Sequence, residues 1–216
     1  MKDEKSNFVL FDFDGVIADS FSAAFAINQT RCPHLTADEY RARFSGNIND
    51  WKKTKATSHT KECRSDIDFF TEYVPKMKVL GVFPGMLEAI QELSRLYTLI
   101  IISSTLTSPI KEFVERQGIG ACFTEIMGKD VHESKARKIE MVFSKYGVDK
   151  NSCVFVTDTL GDMREAAHLD VGSIGVSWGF QNEETLRLGN PFCIVQKPEE
   201  FPPAIARYFE GDGVLL

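Results

Sequence analysis

The chain alternates between continuous apolar runs and amphipathic segments over most of its length. The longest apolar runs begin at Phe8, Thr98 and Cys153, and they resemble strands that are buried on both faces. Shorter strand-like runs lie at residues 123–127, 172–176 and 192–195, and segments with apolar residues at helical spacing separate them. This repetition of strand and helix predicts an α/β fold with a parallel sheet.

The region between the first strand and about residue 82 interrupts this alternation, because it contains no comparable apolar strand. It offers helix signals instead, including a capping box from Thr36 to Glu39 and a stop at Gly46. Such a long connection exceeds a simple strand–helix–strand crossover. We therefore predict a core of residues 1–19 and 81–216 with an inserted helical domain at residues 20–80.

Composition narrows the class of protein. The 216 residues, 43% of them hydrophobic, suffice for one substantial core and a small appendage, and the net charge of −6 argues against a nucleic-acid-binding surface. The five cysteines are widely spaced without a Cys-x-x-Cys pair, which predicts neither a disulfide framework nor a zinc site and favours a reducing cytosol. Residues 1–5 are too charged for a signal peptide, and the apolar run at 99–102 is too short to span a membrane. We expect a cytoplasmic protein without nucleic-acid or membrane partners.

Two carboxylates leave the first strand together. Asp12 and Asp14 follow the apolar run two residues apart, just before the turn that Gly15 permits. They lie at the C-terminal edge of the strand, where open α/β sheets bind ligands. Capping of the next helix or a solvated turn is the alternative role, but neither requires two acids. The pair therefore predicts a site that handles a metal ion and a reacting group.

This segment resembles the start of the haloacid dehalogenase superfamily, whose phosphatase members carry Asp-x-Asp-Gly-[Val/Thr]-x-x-Asp-Ser after an apolar strand. The resemblance implies a Rossmann-like parallel sheet with a helical cap, in which Asp12 is the nucleophile and Asp14 the general acid and base. A carboxylate that attacks phosphorus forms an aspartyl-phosphate, and Mg²⁺ offsets the repulsion between the two anions. Dehalogenases of the family lack an acid at the position of Asp14, which favours a phosphatase.

A second acidic loop supplies further candidate metal ligands. Asp158 and Asp162 follow the strand that begins at Cys153, at the start of the next predicted helix. The resemblance implies that they complete a Mg²⁺ site together with Asp12 and the backbone carbonyl of Asp14. Taken alone, Asp162 is equally well explained as a helix N-cap.

Hydroxyl and cationic side chains complete the expected phosphate site. The strand that begins at Thr98 ends in hydroxyls, and the resemblance implies Ser103 as the phosphate ligand with Ser104 as the neighbouring candidate. Both also suit a turn into the next helix. For the cation, the resemblance implies Lys135 at the start of a helix, with Lys138 as the alternative. The Pro-x-Pro that follows this lysine in many relatives is missing here.

The resemblance also implies substrate contacts from the inserted domain. Arg43 and Asn47 lie where a predicted helix ends in a glycine turn, and arginine can bind an anion through two hydrogen bonds. An ordinary solvated helix end explains these residues equally well. We expect a Mg²⁺-dependent phosphatase that acts on a small phosphorylated metabolite, similar to phosphoglycolate-phosphatase-like members. A phosphomutase of the same superfamily and an inactive relative that binds a partner are the alternatives.

Overall fold

The structure, a computed structural model, describes residues 6–48 and 67–211. The charged residues 1–5, residues 49–66 of the predicted inserted domain and residues 212–216 lie outside the described part. Within it, six parallel strands form one sheet in the order β3-β2-β1-β4-β5-β6, with helices between them. The predicted α/β fold with a Rossmann-like parallel sheet is therefore confirmed.

The elements have the following bounds. The strands are β1 (Phe8–Phe11), β2 (Thr98–Ile102), β3 (Phe123–Met127), β4 (Cys153–Thr157), β5 (Gly172–Val176) and β6 (Cys193–Val195). The α-helices are α1 (Phe21–Arg31), α2 (Ala37–Ala42), α3 (Phe69–Met77), α4 (Met86–Leu96), α5 (Thr107–Arg116), α6 (Lys135–Tyr146), α7 (Leu160–Ala167), α8 (Glu183–Arg187) and α9 (Phe201–Glu210). Among the residues that the structure describes, no helix has the length and apolarity needed to cross a membrane.

The sheet is covered on both faces, as its uninterrupted apolar strands require. Along β1, Val9 and Phe11 pack in one apolar cluster with residues of α4, α5 and α9, whereas Phe8 and Leu10 pack in a second cluster with residues of α6 and α7. All four β1 side chains are buried. Because successive side chains point to opposite faces, this one strand contributes to both halves of the core.

The sheet order places a switch point at β1. The chain runs outward from β1 through β2 to β3 and then returns to pair β4 with the opposite edge of β1. Ligands bind at the carboxyl ends of strands at such a point. The backbone N–H of Asp12 donates to the carbonyl of Val156 at 2.9 Å, so the loops that follow β1 and β4 begin side by side.

Helices α1, α2 and α3 lie between β1 and the remaining strands of the sheet. Thr36 and Glu39 form the predicted capping box at the start of α2. The chain leaves the core and returns to it at adjacent points, since Ala18 forms a bridge with Val82 and the N–H of Asp19 donates to the carbonyl of Gly81 at 3.1 Å. The exact domain bounds stay a prediction.

The cysteines differ from expectation in one respect. Cys32, the residue that follows α1, is disulfide-bonded, whereas Cys122, Cys153 and Cys193 are free thiols. Spacing along the chain does not reveal which cysteines approach one another in space, so the pattern could not predict this bond. The cysteines therefore no longer argue for a reducing compartment.

Candidate active site

Asp12, Lys135 and Asp162 form a buried charged group at the carboxyl ends of β1 and β4. The Nζ atom of Lys135 lies 2.8 Å from Oδ1 of Asp12 and 2.6 Å from Oδ2 of Asp162. Asp12 follows β1, Asp162 lies in the first turn of α7, and Lys135 is the first residue of α6. Three elements thus bring one predicted nucleophile, one predicted metal ligand and the preferred lysine into direct contact.

The start of α6 is fixed in a way that aims Lys135 at this group. Ser134 caps the helix by accepting a hydrogen bond from the N–H of Arg137, and its hydroxyl donates to Glu165 on α7 at 2.9 Å. The N–H of Ala136 also donates to Glu165, at 3.0 Å. The carboxylate of Glu165 thereby accepts a hydrogen bond from an N–H at the helix start that would otherwise be unpaired. Its negative charge also interacts favourably with the positive end of the helix dipole.

This group contains more carboxyl groups than ammonium groups. Burial raises the pKa of Asp12 well above its usual range, an effect that Lys135 opposes and that the carboxylates of Asp162 and Asp158 reinforce. Burial by itself lowers the pKa of Lys135, but the carboxylates of Asp12 and Asp162 reverse this and raise it. Lys135 is therefore charged at neutral pH, and its one ammonium group lies among three carboxyl groups, of which those of Asp12 and Asp158 are buried and that of Asp162 is partly exposed.

Asp158 is fully buried in the loop after β4, and only one of its oxygens has a hydrogen-bond partner among the described residues. Its Oδ2 accepts from the N–H of Phe180 at 2.7 Å, whereas Oδ1 has no partner. Burial raises the pKa of Asp158 to about 7. An unpaired oxygen of a buried carboxyl group is costly. This oxygen therefore indicates a place where a polar or cationic group binds.

Gly15 lets the two acidic loops touch. Its φ of +79° is a left-handed conformation that glycine adopts without strain, and a Cβ at this position would lie 2.0 Å from Oδ2 of Asp158. Any side chain would displace that carboxyl group. The glycine after Asp14 is thus required both for the turn and for the approach of Asp158 to the first loop.

These donors fit a hard divalent cation that is also coordinated by a backbone oxygen and water. No three His, Cys, Asp or Glu side chains within residues 6–48 and 67–211 converge closely enough to hold a metal by themselves. Mg²⁺ commonly takes one or two carboxylates and keeps several waters, so it does not need such a cluster. Asp12, Asp158, Asp162 and the carbonyl of Asp14 remain the candidates. Lys135 and the hydroxyl of Thr157 both bind Oδ2 of Asp162, so its Oδ1 is the oxygen that a cation would take.

Asp14 is held by two hydroxyl groups that sequence reasoning did not assign to the site. Thr105, which follows β2, donates from Oγ1 to Oδ2 of Asp14 at 2.7 Å, and Tyr73 on α3 donates from its hydroxyl to Oδ1. In the sequence, Tyr73 is one of several apolar and aromatic residues at helical spacing between Phe69 and Met77, and that spacing carries no information about a hydroxyl. One residue of the core and one of the inserted region therefore orient the predicted acid and base.

Ser103 and Lys138 belong to one buried turn at the end of β2. The Oγ of Ser103 accepts from the N–H of Thr105 at 2.9 Å, and its carbonyl accepts from the Nζ of Lys138 at 2.5 Å. Lys138 is fully buried, and burial lowers its pKa to about 8. Of the two candidate lysines, Lys135 contacts Asp12, while Lys138 holds the backbone of the Ser103 turn. Ser104 follows in the same turn and is half-buried.

A family model described as "Haloacid dehalogenase-like hydrolase" matches residues 9–176. The chain belongs to this family.

The phosphoglycolate phosphatase of Synechococcus elongatus is 23% identical over 92% of this chain and 97% of that protein. The probable phosphatase IndB of Dickeya dadantii is 30% identical over 53% of this chain and 51% of its own length. The solved structure of a haloacid dehalogenase-like hydrolase from Streptococcus pneumoniae superposes with a TM-score of 0.76 at 22% identity, covering 92% of this chain and 98% of that one. The resemblance inferred from the first acidic motif is confirmed, since the matching family is the one that the motif indicated.

In this haloacid dehalogenase-like hydrolase, Arg43 and Asn47 each form a hydrogen bond within the described ranges, and neither bond is to Asp12 or Asp14. Arg43 donates from Nη1 to Oδ1 of Asn28 at 3.2 Å. Asn47 donates from Nδ2 to Oε1 of Glu165 at 2.6 Å. Arg43 thus contacts another inserted element, whereas Asn47 joins the inserted region to α7.

The inserted region of the hydrolase also contacts the loop that follows β5. Arg41 donates from Nε to the carbonyl of Phe180 at 2.9 Å, and Gln181 donates back to the carbonyl of Arg41 at 3.0 Å. Phe180 also packs in an aromatic cluster with Phe21 and Phe44. Because the N–H of Phe180 binds Asp158, this short segment contacts both the acidic loop and the helices that cover it.

Proposed function

We propose that this hydrolase is a Mg²⁺-dependent phosphatase that acts on a small phosphorylated metabolite. The observation that carries the proposal is the 2.8 Å contact between Lys135 Nζ and Asp12 Oδ1 in a buried site that also holds an oxygen of Asp158 with no hydrogen-bond partner in the described part of the chain. A carboxylate nucleophile beside a fixed cation suits attack on an anionic phosphate ester, since the cation reduces the repulsion between the reacting groups.

In the proposed first step, an oxygen of Asp12 forms a bond to phosphorus while the bond between phosphorus and the ester oxygen breaks. Asp14 gives its proton to the departing oxygen. In the second step, Asp14 takes a proton from water as the water oxygen attacks the aspartyl-phosphate, which releases inorganic phosphate and restores Asp12. Lys135 keeps its position throughout because Asp162 holds its ammonium group.

The remaining site residues are proposed to bind Mg²⁺ and the phosphate group. Asp12, Asp158, Asp162 and the carbonyl of Asp14 would hold Mg²⁺, which supplies positive charge against the phosphate oxygens. Ser103 accepts one hydrogen bond through Oγ, so its own hydroxyl proton is available to a phosphate oxygen. The backbone N–H groups that follow it are further candidates for phosphate oxygens.

The relatives suggest which phosphate esters to test first. Proteins named phosphoglycolate phosphatase match over most of this chain, and so does one named 5'-nucleotidase from Pseudomonas aeruginosa, at 23% identity over 85% of the chain and 88% of that protein. We therefore infer a small phosphate monoester as the substrate class. Arg43 and Asn47 are the cap residues that we propose to influence the choice among such esters.

The experiment measures phosphate release from phosphoglycolate and from 4-nitrophenyl phosphate, with Mg²⁺ or with a chelator. We expect turnover only with Mg²⁺, and none for Asp12→Asn, because an amide does not replace the attacking carboxylate. Asp170→Asn is the matched control: it makes the same change at a surface residue paired with Lys150, and it should behave as the wild type. Full activity in the chelator, or in Asp12→Asn, would contradict the aspartyl-phosphate mechanism.

A further inference from the structure

Both oxygens of the Asp14 carboxyl group are engaged, although the residue is only half-buried. Tyr73 donates to Oδ1 and Thr105 donates to Oδ2, the latter at 2.7 Å. Each oxygen of a carboxylate has two lone pairs, so two donors fix the plane of the group and still leave a lone pair on each oxygen. The carboxyl group is therefore oriented without losing its capacity to carry a proton.

The hydroxyl of Tyr73 has a defined position because α3 is anchored along its length. Asp68 caps the start of the helix by accepting from the N–H of Thr71, and the Tyr73 ring stacks on Phe69 with 5.0 Å between centroids. At the other end, Arg116 of the core helix α5 donates from Nη2 to the carbonyl of Met77 at 2.8 Å. Tyr73 and Met77 lie one turn apart on the same face of α3, and both are buried.

We propose that Tyr73 is a positioning residue which aims Asp14 at the leaving group, so that the inserted helices take part in the first chemical step. The inference rests on the proposed phosphatase function. As the oxygen of Asp12 bonds to phosphorus and the ester bond breaks, the proton of Asp14 passes to the departing oxygen. Tyr73 donates to Asp14 and exchanges no proton with the substrate, so it acts only through the orientation of that carboxyl group.

A positioning role and a merely structural role predict different dependences on the leaving group. An alkoxide is a strong base and needs a proton as the ester bond breaks, whereas 4-nitrophenolate is a weak base and leaves without one. Loss of the Tyr73 hydroxyl should therefore slow the first step for an alkyl phosphate far more than for an aryl phosphate. General loosening of the site would slow both alike.

The experiment compares wild-type protein with Tyr73→Phe, in the presence of Mg²⁺, by single-turnover release of the leaving group from phosphoglycolate and from 4-nitrophenyl phosphate. We expect release from phosphoglycolate to fall at least ~10-fold and release from 4-nitrophenyl phosphate to change less than ~3-fold, as loss of acid assistance predicts. Thr105→Val should show the same selectivity, and Thr105→Ser should restore release from phosphoglycolate because it keeps the hydroxyl.

Tyr40→Phe is the matched control, since it removes a hydroxyl from a buried tyrosine of the inserted region that makes no hydrogen bond to Asp14 among the described contacts. It should leave both rates near wild type. Equal losses on the two substrates in Tyr73→Phe, no loss on either, or the same selectivity in Tyr40→Phe would overturn the inference. Failure of the wild type to release phosphate with Mg²⁺ would overturn the proposed function itself, which distinguishes the two failures.

Discussion

The ammonium group of Lys135 and Oδ1 of Asp12 are 2.8 Å apart in a site from which nearly all water is excluded, since the two residues are 3% and 5% exposed. A fixed charge in such surroundings acts more strongly than it would in water. Lys135→Ala should therefore lower kcat/KM for phosphoglycolate by at least ~10²-fold, which corresponds to roughly 2.7 kcal/mol. Steady-state kinetics in Mg²⁺ measure this effect.

Lys145→Ala is the control for that substitution. Lys145 lies on the same helix but is more than half exposed and pairs with Glu125, so its removal should leave kcat/KM unchanged. A thermal unfolding curve for each variant separates loss of function from loss of fold. If both variants lost activity equally, the role assigned to Lys135 would be wrong.

The roles of Asp158 and Asp14 are expected to separate in a metal titration. Asp158→Asn should raise the Mg²⁺ concentration needed for half-maximal activity, because one oxygen of this buried carboxyl group is unpaired and suited to a cation. Asp14→Asn should leave that concentration nearly unchanged and lower kcat by ~10²–10⁴-fold, the usual loss for a missing acid and base. An Asp14→Asn enzyme whose full rate returned at high Mg²⁺ would refute this division.

Stability should depend on pH through Lys138. Burial lowers the pKa of Lys138 from 10.5 to about 8. Between these pH values the unfolded chain keeps a proton at this position that the folded chain has released, so the free energy of unfolding rises with pH across the window. The shift corresponds to at most about 3 kcal/mol.

Urea unfolding of the wild type and of Lys138→Met between pH 7.5 and 10.5 checks this expectation. The variant removes the titrating group and keeps an unbranched apolar side chain, while other groups titrate in both proteins and cancel in the difference. The stability of the wild type relative to the variant should increase as the pH rises. A difference that stays constant over this range would show that Lys138 titrates normally in the folded protein.

The inserted helices are expected to influence the choice of substrate. Arg43→Ala removes the contact with Asn28, and it should lower kcat/KM for phosphoglycolate by ~10-fold while sparing acetyl phosphate, which needs only the core site. Lys76→Ala removes an exposed cation from α3 and should change neither substrate. Equal losses on both substrates would assign Arg43 to folding or to the core chemistry, and no loss would leave it without a role in selection.

The arrangement of the acids could be predicted from the sequence because it follows from local pattern and sheet geometry. The apolar runs that precede Asp12 and Asp158 indicate buried parallel strands, and the carboxyl ends of such strands lie at one edge of the sheet. The assignment of Lys135 depended on resemblance to a family, since a lysine at a helix start carries no signal of its own. Its contact with Asp12 agrees with that assignment.

Contacts that join distant segments could not be predicted in the same way. Tyr73 reaches Asp14 across 59 positions, and Asn47 reaches Glu165 across 118. Nothing in the spacing of these residues indicates a partner, because the packing of the inserted helices on the core decides it. The disulfide at Cys32 and the complete burial of Lys138 depend on tertiary structure in the same way.

Among the described residues, three donors form hydrogen bonds to Glu165, and of these only Asn47 belongs to the inserted region. The other two come from Ser134 and Ala136, on either side of Lys135. If the inserted helices lift to admit substrate or to let phosphate escape, Glu165 loses only its bond from Asn47, and the two bonds that hold the start of α6 persist. The enzyme would then open and close in every catalytic cycle without rebuilding the charge that faces Asp12, the proposed nucleophile.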